Sequence, residues 1–175
     1  MNDKLLKQYG VMAVKAGVNI QPGQTLIINA PITAADLVHH CATAAYDAGA
    51  REVVVNWSDE KLSRIKMDRT AQEVLCDVKP WIQESYLQYI KSEGSAAILS
   101  ITGSDPEIYK GLDMQKINAA SIARMNALAE YRSSQWHPVF SGVLLLCLPK
   151  AGQRKYSQTC QLMKLWKNCG RLYLK

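Results

Sequence analysis

Between residues 136 and 175 the chain has no aspartate and no glutamate. The first 135 residues hold all 15 acids and 14 of the 21 lysines and arginines. They carry −1, so the overall charge of +6 belongs to the last stretch alone. At the acid frequency of the first 135 residues, a gap of that length arises about once in a hundred such stretches. A basic balance ordinarily points to nucleic acid or a membrane surface, but it does not describe the body of this protein. Any contact with DNA or RNA would rest on Lys150, Arg154, Lys155, Lys164, Lys167, Arg171 and Lys175, and would be non-specific and weakened by salt.

Long hydrophobic runs are also missing. The longest, Val143 to Leu148, is six residues, against the ~20 that span a bilayer. Lys4, Lys7 and Lys15 interrupt the N-terminus, which is therefore no signal peptide. The five cysteines, at 41, 76, 147, 160 and 169, have no close pairing, so neither a disulfide framework nor a Cys-x-x-Cys zinc site is indicated. A reducing cytoplasm is the expected compartment. No internal repeat or low-complexity segment is present.

What is present alternates between helix and strand. Asp3 to Val18 places Leu5, Leu6, Tyr9, Met12, Ala13 and Ala16 on a helical stripe. Gln21-Pro22-Gly23 is turn chemistry, and Thr25 to Asn29 is a short buried-type strand. Thr33 and Asp36 form a variant capping box, opening a helix whose apolar face is Leu37, Val38, Cys41, Ala45 and Ala48. Gly49 stands where a left-handed residue would end it. Glu52 to Trp57 is the second strand, completing a βαβ unit. Ser58 to Lys79 reads as one or two short helices. A helix over Trp81 to Glu93 ends at Gly94, and Ala96 to Thr102 is the third strand. Ser104 or Asp105 caps a turn beginning at Pro106. Asp113 to Tyr131 is a long helix with Met114, Ile117, Ser121, Met125 and Leu128 on one face. The expected fold class is α/β, with a mostly parallel sheet built from βαβ units.

None of the residue clusters makes a catalytic set. His39 and His40 point about 100° apart on their helix and cannot share a metal as an i, i+4 pair does; both read as structural. Gly103-Ser104-Asp105-Pro106 stands between strand and helix, where this fold class binds anions. It lacks the glycine spacing of a dinucleotide or P-loop motif, and Asp105 would repel a phosphate. Cys41 and Cys76 have no histidine or base nearby in sequence to make a nucleophile. Trp57, Trp81, Tyr86 and Tyr89 are not interleaved with basic residues as a stacking platform requires, and core or boundary packing accounts for them.

Three stretches, in order and at their spacings, carry a resemblance: QPGQTLIINAPI (Gln21 to Ile32), YDAGAREVVVNWSDE (Tyr46 to Glu60) and ILSITGSDPEIYKGLD (Ile98 to Asp113). Through them residues 1–135 resemble the start of the thermophilic metallo-aminopeptidase family, that of aminopeptidase T and aminopeptidase S. The resemblance implies a cytoplasmic homodimeric exopeptidase. It would remove N-terminal residues from peptides with two divalent metal ions, such as zinc, cobalt or magnesium. In that family the Glu, His, Asp and Tyr metal ligands lie in the second half of a two-domain chain. The resemblance therefore assigns no catalytic, cofactor-binding or metal residue here. It implies an incomplete N-terminal domain, inactive alone, that holds no metal; the charge distribution and the short apolar runs in turn point to no specific nucleic-acid or membrane partner.

The resemblance stops near Gln135, where the acids stop. Read one frame away, Gly152 to Gln158 is compatible with Ala-Lys-Lys-Ile-Phe-Pro-Asn, part of a longer string with acids and a helical apolar period. Two readings follow for residues 136–175, an out-of-frame tail or a divergent basic segment. On the first, the chain is an N-terminal aminopeptidase piece. On the second, it is a stand-alone α/β binding module whose basic tail recruits an acidic partner, without catalysis.

Overall fold

The computed structural model describes residues 3–91, 96–103, 105, 107–134 and 142–146, the side chains of 86, 89–91, 132–134 and 142–146 excepted. Four strands form one parallel sheet: β1 (Thr25–Pro31), β2 (Glu52–Ser58), β3 (Ala96–Thr102) and β4 (Gly142–Leu146), in the order β2-β1-β3-β4. The apolar run beginning at Val143 lies in β4, which pairs with β3 from Gly142 to Leu146. Cys147 and Leu148 lie outside the described residues, as do 135–141 and 149–175.

The helices are α1 (Asp3–Met12), α2 (Ala35–Asp47), α3 (Glu60–Arg69), α4 (Gln72–Cys76), α5 (Pro80–Lys91), α6 (Met114–Ala127) and α7 (Ala129–Ser134). Alternate strand residues face opposite sides of the sheet. On one side Leu26, Ile28, Ala30, Ala97, Leu99 and Ile101 join Val14, Val18, Leu37, Val38 and Cys41 in the main core. Ile27, Ala96 and Ile98 form a smaller cluster facing the other way. Elsewhere α4 packs on α6 and α5 on α7.

The expected turn chemistry holds where backbone geometry demands it. The Gln24 amide donates to the Gln21 carbonyl (3.1 Å) across Pro22-Gly23. Gly49 has φ +89°, a conformation a Cβ would strain. Its amide donates to Tyr46 (2.9 Å) and that of Ala50 to Ala45 (3.0 Å), the paired bonds of a Schellman end. The Gly23 and Arg51 amides donate to the Gly49 and Gln24 carbonyls, both at 2.8 Å, tying the two turns together beside the start of β1 and β2.

Four expectations are corrected. Thr33 forms no capping box, because Ile32–Ala34 is a 3₁₀ turn and Ala34, without a side-chain bond, stands at the N-cap of α2. The α1 stripe is turned: Gly10, Ala13, Val14 and Val18 are buried while Leu5, Met12 and Ala16 are exposed. α1 approaches α2 closely at Gly10, and a π-helical continuation over Ala13–Val18 shifts side-chain phase from there on. The long helix breaks at Leu128, and α6 buries Ile117 and Ala120 while Met114, Ser121 and Met125 face water. Asp113 is its N-cap, accepting from the Gln115 and Lys116 amides. Trp57 and Trp81 are 46% and 67% exposed, so they are not packed as core. The side chains of Tyr86 and Tyr89, the Gly94 helix end, and the Ser104 and Pro106 positions lie outside the described residues.

Candidate functional site

The chain runs from β1 to β2 on one side, then crosses back to β3 on the other. The reversal makes a topological switch point at the carboxyl ends of β1 and β3, where open α/β sheets bind ligands. Asn29 stands level with Asn56 on β2 and Ser100 on β3. Asn56 Nδ2 donates to Asn29 Oδ1 (3.0 Å), and one residue further along β1 the Ala30 carbonyl accepts from Ser58 Oγ at 3.4 Å. This row of half-buried polar groups interrupts strands otherwise read as apolar.

Beyond β2, Asp59 caps α3, accepting from the Lys61 (2.8 Å) and Leu62 (3.3 Å) amides. Glu60 and Arg64, four residues apart, share one face of α3. Glu60 Oε1 accepts the Asp105 amide (3.2 Å). The Arg64 guanidinium donates to the Ile108 carbonyl and, at 3.1 Å, to that of Lys110. Lys116 Nζ donates to the Asp68 carbonyl at the far end of α3 (3.2 Å). Asp105 itself accepts from the Glu107 amide (2.9 Å), and the Ile108 amide donates to its carbonyl (3.1 Å). At Asp105 the cap reading of this segment therefore holds. The sequence reading missed Glu60 and Arg64; their i, i+4 spacing after a capping Asp59 was the available signal, but their partners, a backbone amide 45 residues from Glu60 and carbonyls 44 and 46 residues from Arg64, are remote in sequence.

His39 and His40 take structural places. His39 is exposed, and His40 Nε2 lies 3.0 Å from Asp3 Oδ1, pinning the start of α1 to α2. Cys41 is buried, and desolvation pushes its thiol up to about 12, so it stays protonated and un-nucleophilic at neutral pH. Cys76 is half-buried. Among the described residues, no three His, Cys, Asp or Glu side chains come together to hold a metal, and no helix is long and apolar enough to cross a membrane.

The model of the thermophilic metalloprotease (M29) family matches residues 2–170. Aminopeptidase 2 of Geobacillus stearothermophilus is 41% identical over 132 residues, 75% of this chain and 32% of its own. Aminopeptidase AmpS of Bacillus subtilis is 33% identical over 127 residues, 73% of this chain and 30% of its own. The solved structure of wild-type AmpT from Thermus thermophilus superposes with a TM-score of 0.80 at 25% identity, covering 94% of this chain and 41% of that one. The chain thus spans about a third of the length of the curated relatives it matches. With the family model covering nearly all of the sequence and the parallel fold shared with AmpT, this chain belongs to the thermophilic metalloprotease (M29) family.

Proposed function

We propose that this chain is the N-terminal α/β unit of a metal-dependent aminopeptidase, one that removes N-terminal residues from peptides in the cytoplasm as a homodimer. The observation that supports this most is the 41% identity to an aminopeptidase over three quarters of the chain. Two divalent ions such as zinc, cobalt or magnesium would supply the activated water in the full-length enzyme. The described residues do not fit that group, since no three ligating side chains converge among them, and no step of hydrolysis is assigned to them. On this reading the chain alone is catalytically inactive and binds neither specific nucleic acid nor membrane.

The body would then be residues 1–135 and the basic, acid-free 136–175 an out-of-frame tail. The charge break at 136 supports that division, while the family match runs past it to residue 170. The same break favours a second reading, a non-catalytic module recruiting an acidic partner. The nucleotide sequence from the Ser134 codon onward tests both: a shifted frame encoding Glu, His and Asp ligands supports the first, and an unshifted stop with nothing related beyond it supports the second.

A further inference from the structure

Helix α3 is built inside out. Its half-buried positions are Glu60, Ser63, Arg64 and Met67, spaced as one helical face, and three of the four are polar. Its large apolar residues Leu62 and Ile65 face outward at 64% and 58% exposure, and no residue of the helix is buried. Amphipathic helices normally attach through an apolar stripe; α3 attaches through hydrogen bonds. Glu60 holds the Asp105 amide, Arg64 holds the Ile108 and Lys110 carbonyls, and Lys116 reaches the Asp68 carbonyl.

The partner segment is also short of apolar anchorage. From Glu107 to Leu112 it is a run of turns, its own bonds being Lys110 to Glu107 (2.9 Å) and Leu112 to Tyr109 (3.1 Å), and none of its residues is buried. α3 follows β2 after Asp59, and the 107–112 turns follow β3 four residues beyond its end. Segments held by few buried apolar contacts open locally at less than the global free energy.

We propose that α3 and the 107–112 turns form one polar-latched strap beside the switch-point edge of the sheet, whose two segments loosen together when the bonds between them break, while the core stays closed. Glu60 and Arg64 are its latch, acting as positioning residues. Among the described residues the latch joins the two elements through side chain to backbone bonds, so breaking it releases both segments. Between the two segments in sequence, Leu75, Ile98 and Leu99 are buried in the fold.

Native-state hydrogen exchange on the whole 175-residue chain tests this. In the unaltered protein, amides of Lys66 to Arg69 and of Lys110 and Leu112 should exchange at a common opening constant, faster than those of Ile27, Ile28 and Leu99. In Arg64→Ala both groups should exchange about tenfold faster or more, with β1 and α2 unchanged. Arg64→Lys, which can reach one carbonyl but not hold two in a planar fork, should fall between. Ile65→Ser, facing outward, should leave the turns protected as before. If Arg64→Ala speeds exchange only in α3, or uniformly through β1 and α2, or nowhere, the strap does not exist.

Discussion

Gly10 sets how closely α1 lies on α2, and Gly10→Ala should destabilise the fold although alanine is the better helix former. A methyl there would meet the His40 Cβ at 3.0 Å and the His40 carbonyl carbon and Cys41 amide nitrogen at 3.1 Å each. Ordinary contacts between carbon atoms lie near 3.5–4.0 Å, so all three fall short by about half an ångström. Two of the three are backbone of α2, which cannot swing aside as a side chain can. Relief therefore requires α1 to lift, loosening Ala13, Val14 and Val18, all buried on the same core.

Overpacking of this kind costs about 1–3 kcal/mol. The gain in helix propensity from glycine to alanine returns about 1 kcal/mol. With rigid backbone as the obstacle the upper part of the overpacking range applies, leaving a net loss of about 1–2 kcal/mol. Urea unfolding followed by circular dichroism reads this as a lower midpoint at unchanged slope. Ser121→Ala, at an exposed site of α6, serves as the propensity control and should be neutral or slightly stabilising. A Gly10→Ala midpoint raised like that of the control would refute the close-approach argument.

The buried Cys41 thiol gives a pH prediction with a definite sign. Its acidity is moved from near 9 unfolded to about 12 folded, so the folded state holds the proton more tightly. Its contribution is fully present below about pH 9 and lost as pH rises towards 12. The difference in unfolding free energy between the unaltered chain and Cys41→Ala should therefore shrink from pH 9 to 10.5; a constant difference would show the thiol is not desolvated. At the helix starts, Asp113→Ala should cost about 1 kcal/mol through loss of the α6 cap, whereas Thr33→Ala should cost only a few tenths. Equal costs in urea titrations would restore the capping box at Thr33.

How much of this was legible in the sequence depends on whether the cause was local. The TLIIN, EVVVNW and AAILSIT runs are β-branched or apolar enough to declare strands by themselves, and all three form, β1 and β3 buried and β2 half-buried at the sheet edge. The Pro22-Gly23 turn and the Gly49 helix end need a positive φ, so the residue type announces the geometry. Thr33 failed because the chain leaving β1 spends Ile32–Ala34 on a 3₁₀ turn, moving the helix start past it. The face of α1 failed because Gly10, silent in any hydrophobic pattern, is the contact that decides which side is buried. Helix α3 was readable only as a helix: its apolar residues face outward, contrary to the rule by which periodicity is converted into burial. The latch at Glu60 and Arg64 depends on turns more than forty residues away, which no local pattern encodes.

The central claim, that this chain carries the family's N-terminal α/β unit but not its catalysis, is tested most directly by one assay. Purified 175-residue chain is incubated with zinc, cobalt or magnesium and a leucyl reporter peptide, and amino-acid release is followed. Release should be no faster than with the metal and peptide alone. Metal-dependent turnover that follows this chain through successive columns would contradict it.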